Sequence, residues 1–139
     1  MTLATREITV GAELPITTKT ISQPMIDRYG RLNGDNNLMH YKKEFAQQYG
    51  FRDTLAHGLM TFGFISEVMT QFLGRGWVSH GKVNVAFVAP VHPGDTVTAG
   101  GRVKEKVPEG ESFRLVVEIW CENQDGRRVV VGEASGLIP

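Results

Sequence analysis

Gly58–Leu73, "GLMTFGFISEVMTQFL", decides how the rest of this chain must be arranged. Leu59, Met60, Phe62, Phe64, Ile65, Val68, Met69, Phe72 and Leu73 cover most of the circumference of an α-helix. A helix that is apolar nearly all round is buried on most sides. Gly74 supplies its stop. Thr61, Ser66, Glu67, Thr70 and Gln71 interrupt the run, which is too short and too polar to cross a bilayer. So other elements must wrap this helix.

Downstream, the pattern changes period. "GKVNVAFVAPV" alternates Val83, Val85 and Phe87 on one face. Pro93-Gly94 in "HPGD" suits a type II turn. Residues 96–106 read as a strand. Phe113, Leu115, Val117, Ile119 and Cys121 share one face of the next. Asp125-Gly126 is a hairpin signal, and residues 127–137 form the returning strand. Upstream, residues 14–21, "LPITTKTI", are β-branched and read as a strand. Ser22 caps the segment that follows, and Pro24 suits a first helical turn. Ile26, Tyr29 and Leu32 then fall on one helical face, with Gly34 as the stop. Residues 41–49 form another short helix closed by Gly50. One strand, then helices, then about four strands predict an α+β fold: one buried helix against an antiparallel sheet.

The 139 residues suit a single domain, 1–139, able to bury a core without staples. Fifteen basic and fifteen acidic residues balance to a net charge of zero, which argues against nucleic acid or an anionic membrane as partner. The lone cysteine, Cys121, rules out an internal disulfide and suits a reducing cytoplasm. "MTLATREITV" carries no leader-like apolar run. A single sheet on one helix leaves its edges and one face open. Val116 and Trp120 lie on that outer face, so a homodimer or a multiple of it is expected.

Against this frame one loop stands out: "GDNNLMH", residues 34–40. It places a carboxylate, Asp35, and an imidazole, His40, five positions apart in irregular chain. Such a segment can fold back so that the two side chains meet, as proton transfer in both directions requires. A turn aspartate and a surface histidine would look the same by spacing alone. Asn37, between them, has amide donors and an acceptor able to orient both. His57-Gly58 opens the apolar helix. Gly58 either just lets the chain turn, or lets a ligand oxygen approach the unpaired N–H groups and positive dipole end of the helix. His57 then matters through its backbone more than its ring. His80 and His92 read as structural or exposed. No His, Cys or acidic set has metal-ligand spacing, so no metal is expected. There is no phosphate loop, since "GRG" at 74–76 follows a helix instead of opening one, and no nucleophile elbow.

Taken together, "GDNNLMH", "FRDTLAHGLMT" and "VAFVAPVHPGDTV" resemble the MaoC-like, R-specific enoyl-CoA hydratase family, over roughly residue 11 to the end of the chain. The resemblance implies a hot-dog fold, in which a long helix is wrapped by an antiparallel sheet, and a homodimer. The family motif Asp-x-Asn-Pro-x-His maps onto Asp35, Asn37 and His40, with Leu38 where Pro usually stands. It implies that Asp35 and His40 hold and activate a water and that the Gly58 N–H binds the thioester carbonyl. Ser66, on the central helix, falls where some relatives place a polar residue near the site. The implied activity is a hydro-lyase that reversibly hydrates a trans-2-enoyl thioester to the (R)-3-hydroxyacyl thioester. CoA would enter as part of the substrate, with no separate cofactor. The rival expectations are a hot-dog acyl-CoA thioesterase and a non-catalytic hot-dog subunit of a heteromeric dehydratase. Two departures bear on the site: Leu38 removes a rigid turn residue, and residues 83–86, "VNVA", lack an Arg that many relatives carry.

Overall fold

The computed structural model describes residues 7–138; residues 1–6, which carry much of the leader expectation, lie outside the described residues, as does the last residue. The chain runs β1 (Thr17–Thr20), α1 (Gln23–Asn33), a 3-10 turn (Leu38–His40), α2 (Lys43–Gln48), α3 (Gly58–Leu73), α4 (Arg75–Val78), β2 (Lys82–Phe87), β3 (Thr96–Glu109), β4 (Ser112–Glu122) and β5 (Arg128–Leu137). The five strands form one antiparallel sheet in the order β1-β3-β4-β5-β2. The long helix α3 lies across it and touches β1, β3, β4 and β5. This is the hot-dog arrangement.

Ile65, Val68, Met69 and Leu73 of α3 are each at most 1% exposed. They meet Leu115, Val117 and Ile119 of β4 and Val97 and Val103 of β3 in one core. Each such side chain contributes roughly 1.5–3 kcal/mol by leaving water. The alternation read along β4 therefore points at the helix. Cys121, on the same face, is buried with Sγ 3.7 Å from the Thr61 carbonyl, and burial pushes its thiol up to about 12.

Several boundaries differ from the sequence expectation. The first strand shrinks to four residues because Pro15 has no N–H for the ladder; Leu14 still donates to the Gly101 carbonyl at 3.0 Å. Ser22 Oγ accepts from the Met25 N–H at 3.3 Å, as a cap should. Leu32 is exposed, not on the buried face with Ile26, so the last turn of α1 lies off the core. The "GRG" segment forms an unforeseen turn of helix, α4, packed so closely on β5 that a Cβ on Gly76 would sit 1.7 Å from the Leu137 carbonyl oxygen.

The outer surface is also apolar in a different place from the one expected. The Arg128 guanidinium lies 4.1 Å over the Trp120 ring and shields it. The open apolar side chains instead include Val83 and Phe87 of β2, a strand at one edge of the sheet, with Phe87 51% exposed, and Val88 just beyond it.

Candidate active site

The loop between α1 and the 3-10 turn is built by side chains standing in for backbone partners. Asn33 Oδ1 accepts the Asp35 N–H at 2.8 Å, Asp35 Oδ1 accepts the Asn37 N–H at 3.0 Å, and Asn37 Oδ1 accepts the Met39 N–H at 3.0 Å. Each link spans two residues, which is the turn chemistry that Asn and Asp favour. Asn37 thus works as the cap of the Leu38–His40 turn, and its Oδ1 is spent on the backbone. Leu38 is the first residue of that turn, the position where Pro is tolerated because its N–H would be unpaired anyway. The Asx ladder braces the loop that a Pro would have stiffened.

This ladder leaves Asp35 Oδ2 aimed inward. It lies 3.5 Å from His40 Nε2 and 3.8 Å from His57 Nε2. His40 Nδ1 is 2.7 Å from the Leu55 carbonyl, which only accepts, so Nδ1 carries the proton. In the neutral ring, Nε2 is then a bare lone pair facing a carboxylate oxygen. Two acceptors so placed share no proton between them and are matched to a molecule that donates two.

His57 is buried, and its ring is stacked on His40 with centroids 3.8 Å apart and planes at 22°. The sequence reading gave the His57 backbone more weight than its ring; the structure places that ring directly against His40. Burial, followed by the neighbouring His40, holds its basicity below the ordinary histidine value, while Asp35 pulls the other way. The ring is therefore neutral at pH 7. Tyr41, also unforeseen, reaches both the Asp35 carbonyl and His57 Nε2 through its hydroxyl. Apart from its place directly after His40, the sequence carries no signal for Tyr41.

Asp35, His40 and His57 bring one ligand atom each within 4.8 Å of one another, a cluster that sequence spacing did not suggest. It fits a cation poorly. In-plane lone pairs of two stacked rings run side by side and do not converge on one ion, and His57 Nε2 is engaged with Tyr41.

Gly58 opens α3, and His57 before it caps the helix with no side-chain bond, so the first N–H groups are not capped by a side chain. Gly58 lies in a groove of about 340 Å³ with Phe51, Leu55, Thr61, Phe87 and Val130 among its lining residues. Leu55 ties this groove to the dyad, because its carbonyl is the one that holds His40. Asp35 borders a separate hollow of about 410 Å³ with Arg31 and Tyr41. Ser66 falls elsewhere: it sits eight residues, roughly 12 Å of helix, beyond Gly58. Its hydroxyl accepts from the Trp77 indole at 3.2 Å.

Comparison with known proteins identifies the family. The model of the MaoC like domain matches residues 5–119. An (R)-specific enoyl-CoA hydratase of Rhodospirillum rubrum is 36% identical over 124 residues, which cover 87% of this chain and 82% of that protein. A 3-hydroxybutyryl-CoA dehydratase of Methylorubrum extorquens is 36% identical over 123 residues, 87% of this chain and 75% of that one. Among solved structures, the unliganded R-hydratase PhaJ1 of Pseudomonas aeruginosa superposes with a TM-score of 0.82 at 27% identity, covering 97% of this chain and 84% of that one. The family model spans well over half of the chain and the two relatives match along most of their own length, so this chain belongs to the MaoC-like domain family.

Proposed function

We propose that this protein catalyses the reversible addition of water to a trans-2-enoyl thioester, probed first as the CoA ester, giving the (R)-3-hydroxyacyl thioester. The observation that carries the reading is the facing pair of acceptors, Asp35 Oδ2 and His40 Nε2, 3.5 Å apart. A water donating one O–H to each has its lone pair free for the substrate. As its oxygen bonds to C3, the pair takes one proton and returns one to C2, so no net proton is consumed. Both transfers come from one loop and so from one face of the double bond. Negative charge gathers on the thioester oxygen, and the N–H of Gly58 at the start of α3 is the group we assign to hold it. The addition is neither an oxidation nor a reduction, so the scheme calls for no cofactor besides the CoA of the substrate. The names of the two curated relatives support the same reaction.

A thioesterase or a non-catalytic subunit would leave the opposed acceptors without a task. The assay is loss of the conjugated enoyl thioester absorbance across a series of enoyl-CoA chain lengths. Absence of turnover by the purified protein on the whole series would sink the hydratase reading.

We place the expected homodimer contact on the β2 edge and not on Trp120. Val83, Phe87 and Val88 lie open there, and Phe87 also borders the Gly58 groove. No described helix is long and apolar enough to cross a membrane, and the single buried thiol fits work in the cytoplasm.

A further inference from the structure

We propose that Tyr41 and His57 form a positioning pair that holds the Asp35–His40 dyad in its reactive geometry, with Gly30 providing the space for it. The inference rests on the dyad reading above and deepens it.

The proton bookkeeping assigns every bond. The Tyr41 phenol has one proton. The Asp35 carbonyl can only accept, so the phenol donates there. The phenol oxygen is then free to accept, and His57 Nε2–H, 3.2 Å away, is the donor that faces it. His57 Nδ1 is left as a bare lone pair, and it is the buried side-chain nitrogen or oxygen atom that lacks a partner among the described residues. With the proton on Nε2, the orphan is an unpaired acceptor and not an unpaired N–H. Burial, then Asp35 and Asp27, raise the Tyr41 phenol above its ordinary value, so it stays a donor through the neutral range.

Each partner constrains one member of the dyad. Tyr41 anchors the backbone of Asp35 from which the carboxylate hangs. His57 lies flat beneath the His40 ring, whose edge is pinned by the Leu55 carbonyl. Plane and edge together leave His40 one orientation, with Nε2 toward Asp35. Because the buried ring is neutral, an imidazolium forming on His40 meets a π-face and not a second positive charge. The Tyr29 ring also packs on His57, with centroids 4.9 Å apart and planes at 56°.

Gly30 shows that the space is specific. It stands inside α1, where glycine is a poorer helix former than alanine. A Cβ there would lie 1.8 Å from the Tyr41 hydroxyl and 2.7 Å from its ring carbon. A tyrosine at 41 in this pose therefore requires a residue without a side chain at 30.

The test is a set of variants assayed beside Asp35→Asn on one enoyl-CoA. Tyr41→Phe removes a single oxygen, and His57→Gln removes the stacked ring. Each should lower kcat about tenfold or more while KM stays within about threefold. The double variant should be no worse than the poorer single one, as for groups that act as a unit. Nitrogen NMR of labelled imidazoles should show one fixed tautomer on His57, lost in Tyr41→Phe, while His40, whose Nδ1–H is held by the Leu55 carbonyl, keeps its own. If His57→Gln does not fold, Tyr41→Phe with its NMR readout decides the matter alone. Wild-type kcat in Tyr41→Phe with an inactive Asp35→Asn overturns the pair and spares the dyad. An active Asp35→Asn overturns the dyad reading and the pair with it. Losses that multiply in the double variant overturn the claim that the two act together.

Discussion

The chain carries two Gly-Asp pairs, Gly34-Asp35 and Gly94-Asp95, and they have opposite characters. Both glycines have positive φ, 75° and 92°, and both aspartates leave a turn. Asp95 is enclosed, its side chain 4% exposed. Its Oδ1 accepts from Arg52 at 2.8 Å and Gln124 at 3.0 Å, and its Oδ2 from the His92 N–H at 2.9 Å. Burial works to raise its carboxyl, but the His92 N–H, the Gln124 amide and Arg52 together outweigh it and hold the group below the ordinary value. His92 in turn reaches the Thr54 carbonyl with Nδ1 at 2.8 Å and so fastens the segment that leads into α3. Asp35 is 38% exposed on its side chain and has one backbone donor on Oδ1. Its Oδ2 faces two imidazole nitrogens beyond hydrogen-bond length. A buried carboxylate with donors on both oxygens builds structure; one with an oxygen left short of donors is available to a substrate.

That contrast breaks most sharply at the dyad. Asp35→Asn or His40→Ala should each lower kcat by about a hundredfold or more, as loss of a general acid-base group does, with circular dichroism unchanged. Near-wild-type hydration by either variant would remove the reason for calling Asp35 the working carboxylate.

Gly58→Ala asks whether the start of α3 belongs to the working side. The new Cβ would lie 3.1 Å from two carbons of the Phe87 ring, so the ring must shift and a ligand oxygen loses its approach to the N–H. We expect kcat/KM to fall about tenfold to a hundredfold, within what one oxyanion donor supplies. Adding Phe87→Leu should relieve the steric part. Full recovery in the double variant would show that the oxygen never approached Gly58.

Asp95→Asn should do the reverse: kcat at 25 °C within about threefold of wild type, but lower stability. Leaving buried donors poorly matched costs about 1–3 kcal/mol, or roughly 3–12 °C in Tm for a domain of this size. Because folding lowers the Asp95 pKa, its contribution is present above the unfolded value of 3.8 and is lost as pH falls through the folded value. The Tm gap between wild type and variant should be constant near neutrality and narrow below about pH 4. A gap that persists at acid pH would mean that the charge is not what stabilises.

Ser66→Ala is the mildest change. The hydroxyl already has the Trp77 indole as its partner. We expect kcat within about twofold of wild type, checked in the same assay. A loss of tenfold or more would bring α3 beyond its first turns into the site.

Periodicity and turn chemistry alone determined the long buried helix, the alternation of β4, the Ser22 cap and the 93–94 turn, because each depends on neighbours a few residues apart. Local sequence also placed Asp35, Asn37 and His40 on one irregular loop, and the order of three motifs pointed to the family. It did not reveal that Asn37 is a cap, that Ser66 faces Trp77, or that the open apolar surface lies on β2, since each depends on what stands across from the residue. His57 and Tyr41 are the clearest case. Nothing in "LAHG" or "MHY" says that one ring will lie under His40 and the other hydroxyl will meet it. Residues 30, 35, 41 and 57 meet only after α1 has docked and the segment before α3 has been drawn in by hydrogen bonds such as Leu55 N–H to the Met39 carbonyl and Ala56 N–H to the Val91 carbonyl. Contacts between such distant segments are set by the packing of whole elements, which no local pattern encodes.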